Sequence, residues 1–229
     1  MDDDKIFSRS KYFYLLISLL LFFIVNPFLT ESHFSNFLLL IFFSFILFFS
    51  VYSVMHKTFL LCVALPLAFA TLFSYWYIIW IGASTTAYAI HFIFNILFLG
   101  LILFSVVFSV AKNRRITEET LFGAICGYLL IGLTWSFIYL LIASIDPTCF
   151  SIHLEQDTIR ARVDHFIYYS FVTLTTIGYG DILALKSVPR TFSWLEAVIG
   201  QVYLAVWISQ LVGLRILQMQ KEGKGNEPP

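Results

Sequence analysis

Apolar runs separated by brief polar breaks occupy most of this chain. Six of them, at 12–28, 34–55, 58–81, 87–111, 120–145 and 191–218, approach or exceed the roughly 20 residues that a helix needs to cross hydrocarbon. Only the last contains charges, Glu196 and, near its end, Arg215. A further segment, 163–175, is too short to span and suits a half-helix that enters a membrane and stops inside it. Lys5, Arg9 and Lys11 precede the first run, which makes a signal peptide the competing reading there. Asn26-Pro27-Phe28 follows it, with no small-x-small cleavage site, so the run is read as a retained helix.

Composition points the same way. The chain is 59% hydrophobic and only 12% charged, and its mean hydropathy is +0.86. A soluble domain carries about 25% charged residues. The predicted class is an all-α membrane protein with six transmembrane helices and one re-entrant half-helix. Orientation follows from lysine and arginine. With the amino terminus inside, every basic residue but Arg160, Arg162, Lys186 and Arg190 is cytoplasmic, and the first and third connections, both outside, carry none. Both ends are then cytoplasmic. The expected division is a cytoplasmic start at 1–11, a four-helix unit at 12–111, a linker at 112–119, a second membrane unit at 120–218 and a disordered cytoplasmic tail at 219–229. The tail is too short for a nucleotide- or calcium-binding domain.

Charge excludes some functions. With 14 basic and 14 acidic residues there is no field to hold nucleic acid. No nucleophile–base set, metal cluster or phosphate loop stands outside the apolar runs, so no enzyme and no cofactor is expected. Cys62 and Cys126 lie inside apolar runs as packing residues, and Cys149 stands in a loop, as a free thiol or as a disulfide to a neighbouring subunit.

The distinctive chemistry lies in Thr175-Thr176-Ile177-Gly178-Tyr179-Gly180-Asp181. Stacked backbone carbonyls can replace the water shell of a potassium ion. Aiming successive carbonyls at one axis demands alternating backbone conformations, some with φ > 0, which glycine tolerates best. Gly178 and Gly180 stand at such places. The stretch resembles the selectivity filter of the tetrameric potassium-channel family, and the span, half-helix, filter and span over 120–218 match that family's pore unit. Tyr168-Tyr169 with the following residues also resembles the filters of two-pore-domain channels. The resemblance implies a homotetramer in membrane lipid, with one filter loop per chain around a central pore. It implies K+ sites from the carbonyls of Thr176, Ile177, Gly178 and Tyr179 and the Thr176 hydroxyl, with Gly180 at the outer mouth. Filter support falls to Tyr168, Tyr169, Thr175 and Asp181. The tyrosine pair stands where family members often have tryptophans, and Val172 where some relatives carry a glutamate, so no carboxylate pair with Asp181 is expected.

The last span should line the inner pore. Gly200 is expected as a hinge, or as a small residue packing on the half-helix, with Gly213 a second flexible point. Gln201 is expected to face the cavity or to make an interhelical hydrogen bond. Glu196, the one acid within a span, requires a partner by default. That partner is expected behind the filter, in the half-helix backbone or Tyr168. The run 87–111 holds no lysine or arginine, so the charged fourth helix of voltage-gated relatives is missing. His91 and Asn95, one turn apart, are expected to hydrogen-bond between helices. Gly123-x-x-x-Gly127 marks a close helix approach. His153 and His165, on the outer side, are either sensors of external pH or solvated imidazoles. The first four helices are expected to pack on the pore unit of their own chain. The expected function is passive, K+-selective conduction in a cell membrane, a bacterial inner membrane by the short loops and tail. The alternatives are a non-conducting regulatory subunit and a secondary cation transporter.

Overall fold

The computed structural model describes residues 11–28, 33–54, 58–81, 84–112, 117–152 and 159–224. They form seven α-helices: α1 (Lys11–Val25), α2 (His33–Val54), α3 (Thr58–Ile81), α4 (Thr85–Lys112), α5 (Glu118–Ile145), α6 (Ile159–Leu174) and α7 (Ser187–Lys224). Among the described residues there is no β-strand, only an isolated antiparallel bridge between Phe150 and Ala184. Five stretches are long and apolar enough to cross a membrane: Lys11–Phe28, Thr58–Ile78, Thr85–Lys112, Glu118–Ile145 and Ser187–Gln210. The sixth expected span falls on α2, a helix of 22 residues.

Local signals set the helix ends. Thr117 caps α5 by accepting a hydrogen bond from the Thr120 amide at 3.2 Å, and Glu118 and Glu119 occupy the first turn, where the helix dipole favours acids. Asp146 ends α5 and caps the short 3-10 turn Pro147–Cys149. The tail departs from expectation: α7 continues as helix to Lys224, beyond the predicted end at 218. The residues from Arg215 to Glu222 are helix formers, and the first dense group of breakers is Gly225-Asn226 with the final prolines. The start at 1–10, half of the linker (113–116), His153 and the last residues, 225–229, lie outside the described residues.

α5 is the organising helix. It packs against α1, α4, α6 and α7, and three of its glycines receive side chains from all four of these helices. A Cβ on Gly123 would lie 2.5 Å from Val110 of α4 and 3.0 Å from Tyr12 of α1. One on Gly127 would strike the Tyr203 hydroxyl of α7, and one on Gly132 would lie 2.7 Å from the Phe171 ring of α6. The Gly123–Gly127 pair therefore does permit close approach, but to side chains of different helices rather than to one facing backbone. Tyr203 fixes the second notch by donating to the Ala124 carbonyl at 2.6 Å.

The four-helix unit thus contacts α5 of the same chain through α1 and α4. Within it, the Ser74 hydroxyl of α3 lies 2.8 Å from His91 Nδ1 of α4, an interhelical bond of the kind expected. Asn95 instead turns back to its own helix, donating to the His91 carbonyl at 2.8 Å. The basic residue of α4 is Lys112, in its last turn.

Candidate functional site

The half-helix α6 sets the position of the motif that follows it. Phe166, Ser170 and Leu174 recur at a spacing of four and are all buried, and Tyr169 beside them is 7% exposed. Their surroundings are aromatic. Edge-to-face ring pairs join Phe150 to Phe166 at 4.9 Å, Tyr139 to Tyr169 at 5.0 Å and Phe150 to Tyr169 at 5.5 Å. Each such pair contributes about 0.5–1.5 kcal/mol beyond its buried area. On the other side Phe171 meets Phe23 of α1 at 5.0 Å.

Where α6 ends, the backbone inverts at every second residue. φ is positive at Thr176 (59°), Gly178 (56°) and Gly180 (81°). This alternation turns successive amides to one side and successive carbonyls to the other. The amides of Ile177 and Gly178 converge on the Val172 carbonyl at 3.0 and 3.3 Å, and the Thr176 amide bonds to Thr173 at 2.9 Å. Among the described residues no donor is bonded to the carbonyl oxygens of Thr176, Ile177, Gly178 or Tyr179. Thr176 is the one non-glycine residue at positive φ among the described residues, a conformation that costs an L-residue about 1–2 kcal/mol. Glycine at its neighbours Gly178 and Gly180 avoids that cost.

Both ends of this stretch are tied. At its start, the end of α6 is fixed by Tyr128, which donates to the Leu174 carbonyl at 3.4 Å, and by Gly200 of α7, where a Cβ would lie 2.6 Å from the same oxygen. α7 is continuous helix through Gly200, and contact with the half-helix accounts for the glycine. The Thr175 hydroxyl donates to Phe171 at 2.6 Å. Gln201 reaches the Thr176 hydroxyl with its amide at 3.4 Å. At the outer end, Tyr168 donates to Asp181 at 2.7 Å. The loop after α5 then pairs with the residues beyond Asp181: Ser151 donates to the Leu183 carbonyl at 2.9 Å and Leu185 to the Cys149 carbonyl at 2.8 Å, while Lys186 bonds to Asp146. Cys149 beneath this pairing is a free, buried thiol, pushed up from its ordinary pKa chiefly by burial.

One expected partner changes. Glu196 does not meet Tyr168. It is fully buried and accepts from Tyr139 of α5 at 2.6 Å, with the Ser170 hydroxyl of α6 at 2.5 Å. Tyr168 bonds to Asp181 instead, because it stands two positions before Ser170, about 200° around a helix of 3.6 residues per turn. Tyr169 bonds to Ser193 of α7 at 2.6 Å. Tyr179 and Ile177 are 70% and 54% exposed in the single chain. His165 donates from Nδ1 to the Ala161 carbonyl at 2.7 Å, within its own helix.

Sequence reasoning missed Tyr139, Ser170, Phe150 and Ser193. A signal for Ser170 was present: a polar residue centred on the buried i, i+4 stripe from Phe166 to Leu174. None marked Tyr139, which is one aromatic among many on α5.

No solved structure matches this chain. Residues 116–214, which contain α5, α6, the inverted stretch and the membrane-crossing part of α7, match the family model Ion_trans_2, described as "Ion channel". With its apolar helices the chain is a membrane protein, and over this segment it is similar to an ion-channel family.

Proposed function

We propose that the protein is a potassium-selective channel, assembled from four copies, that passes K+ passively down its gradient. One observation carries the reading: the alternating φ signs at Thr176, Gly178 and Gly180, which leave a row of carbonyls without internal donors. Such a row suits an ion that must exchange its water for oxygen dipoles. The carbonyls of Thr176, Ile177, Gly178 and Tyr179, with the Thr176 hydroxyl, form the ion sites, and Gly180 opens to the outside. K+ is the permeant ion and the carbonyls are its ligands, without a cofactor. Tyr168, Tyr169, Thr175 and Asp181 hold the row in place.

One chain supplies one wall of such a site, and closure requires a ring. The exposed Tyr179 and Ile177 support that reading, as do Val198, Val202 and Val206 on α7, each half exposed or more. Neighbouring copies and lipid cover these groups. The negative end of the α6 dipole, at Leu174, adds to the attraction for a cation held near Thr176. Gln201 extends this lining towards the cytoplasm, and Glu196 backs it from outside the row. The cell membrane is the site of action, and the activity is conduction rather than catalysis.

The test is recording from the purified protein in planar bilayers, with potassium on one side and sodium on the other. Ohmic current reversing near the potassium potential, abolished by Gly178→Ala, is the expected result. Slow saturable flux identifies a transporter instead, and absence of current identifies a non-conducting subunit.

A further inference from the structure

Behind the half-helix, a short chain of oxygen atoms makes more close contacts than its hydroxyl groups have hydrogens. A carboxylate oxygen of Glu196 lies 2.6 Å from the Tyr139 phenol, and the other lies 2.5 Å from the Ser170 hydroxyl. The same Ser170 oxygen lies 2.7 Å from the carbonyl oxygen of Gly132. Two oxygens this close repel unless a hydrogen lies between them. The three contacts therefore require three hydrogens. Tyr139 and Ser170 hold one each, and the carbonyl holds none. Ser136 cannot provide another, since its hydroxyl donates to the same Gly132 carbonyl at 2.8 Å. The remaining source is the Glu196 carboxyl itself.

The surroundings agree with a neutral group. Glu196, Ser170 and Tyr139 are all completely buried. The titratable groups that face Glu196 are Tyr128 and Tyr139 from α5 and Tyr169 from α6, all phenols. Among the described residues no cation is paired with it. An ionised carboxylate there would be buried without a counter-charge, and a carboxylic acid is not.

We infer that Glu196 is a neutral carboxylic acid that accepts from Tyr139 and donates to Ser170, releasing the Ser170 hydroxyl to donate to the Gly132 carbonyl. This relay joins α7, α6 and α5 at one point. Ser170 lies one turn before Leu174, where α6 ends and the carbonyl row begins, so the relay sets the height and rotation of the half-helix. Glu196 is thus a positioning residue for the ion sites. A parallel tie one turn away, from Tyr169 through Ser193 to the Pro189 carbonyl at 2.6 and 2.7 Å, has as many hydroxyl hydrogens as contacts and needs no acid. The functional consequence rests on the proposed potassium conduction; the hydrogen count does not.

Glutamine distinguishes a neutral acid from a carboxylate, because its amide also accepts at one end and donates at the other. The full chain, reconstituted in lipid vesicles, is compared as wild type, Glu196→Gln and Glu196→Ala, by infrared spectroscopy and by single-channel recording. At neutral pH the wild type is expected to show the carbonyl stretch of a protonated carboxyl group, and Glu196→Gln to lack it. Glu196→Gln should keep conductance and selectivity near wild type. In Glu196→Ala the potassium current should fall by about tenfold or more, as buried hydroxyls lose their partner. Absence of the protonated-carboxyl band overturns the inference. So does a Glu196→Gln channel as impaired as Glu196→Ala, or a Glu196→Ala channel with wild-type current. If Glu196→Ala does not assemble, the band and Glu196→Gln still decide. The band is read without current, so a wild-type protein silent to potassium overturns the proposed conduction and leaves the protonation of Glu196 to be judged by itself.

Discussion

The Tyr168 phenol donates to a carboxylate oxygen of Asp181 at 2.7 Å, bridging the half-helix to the outer end of the carbonyl row. This one bond fills the place of the carboxylate pair that Val172 removes. It also holds Asp181 below the usual carboxylate range, because the hydrogen bond favours the ionised form.

The sign of the acid response follows. A carboxyl whose pKa is lowered on folding contributes above its unfolded value of about 3.9, and the contribution is lost as pH falls through the folded value. Tyr168→Phe removes the main cause of the lowering, so Asp181 takes up a proton at a higher pH. In current recordings at decreasing external pH, the variant should lose current at a higher pH than wild type. Coincident acid limbs would show that the bond does not hold the outer mouth.

Gly200 and Gly213 of α7 should respond differently to alanine. A Cβ at Gly200 would lie 2.6 Å from the Leu174 carbonyl oxygen, a backbone atom that cannot swing aside, whereas Gly213 has no atom within 4 Å of the added group. Gly200→Ala is expected to destabilise the protein by about 1–3 kcal/mol through overpacking. Gly213→Ala should gain up to about 1 kcal/mol of helix propensity. Thermal unfolding in detergent measures both, and a Gly200→Ala protein as stable as wild type would restore the hinge as the reason for that glycine.

Conduction should depend weakly on voltage. Each charge carried across the membrane field contributes about 2.3 kcal/mol per 100 mV, and α4 has its basic residue, Lys112, only in the last turn. The measurement is the conductance–voltage curve of the reconstituted channel. A steep sigmoid requiring several gating charges would refute the expectation.

The outer loop should resist acid through Asp146. Its bond to Lys186, followed by that from Thr148, holds this carboxyl well below the usual range. The pair therefore stabilises the fold above about pH 4 and loses its effect only in stronger acid. Lys186→Met should raise the pH at which unfolding begins. Melting temperatures between about pH 2 and 6 would show it, and identical profiles would mean that the pair contributes nothing.

Much of this architecture was legible in the sequence because a bilayer imposes a length and an apolar composition on each span. The inverted backbone at Gly178 and Gly180 was legible for a similar reason, since few residues but glycine tolerate that conformation. Thr176 shows the limit: its positive φ is imposed by neighbours, and nothing in a threonine announces it. Partner choice was the least legible. Glu196 required a partner, but Tyr139 and Ser170 stand 57 and 26 residues away, and only the packing of three helices brings them together. The helical end of the tail was misjudged because polarity was read as disorder although the residues favour helix.

The notches along α5 have a mechanical result. Val110 and Tyr12 seat at Gly123, Tyr203 at Gly127 and Phe171 at Gly132, so four neighbouring helices are indexed to one shaft like teeth on a common key. None can slide along α5 without first lifting out of its notch. The outer helices, the half-helix and the inner helix therefore keep a single register, and a vertical shift imposed on one is delivered to the others as translation rather than lost as slip.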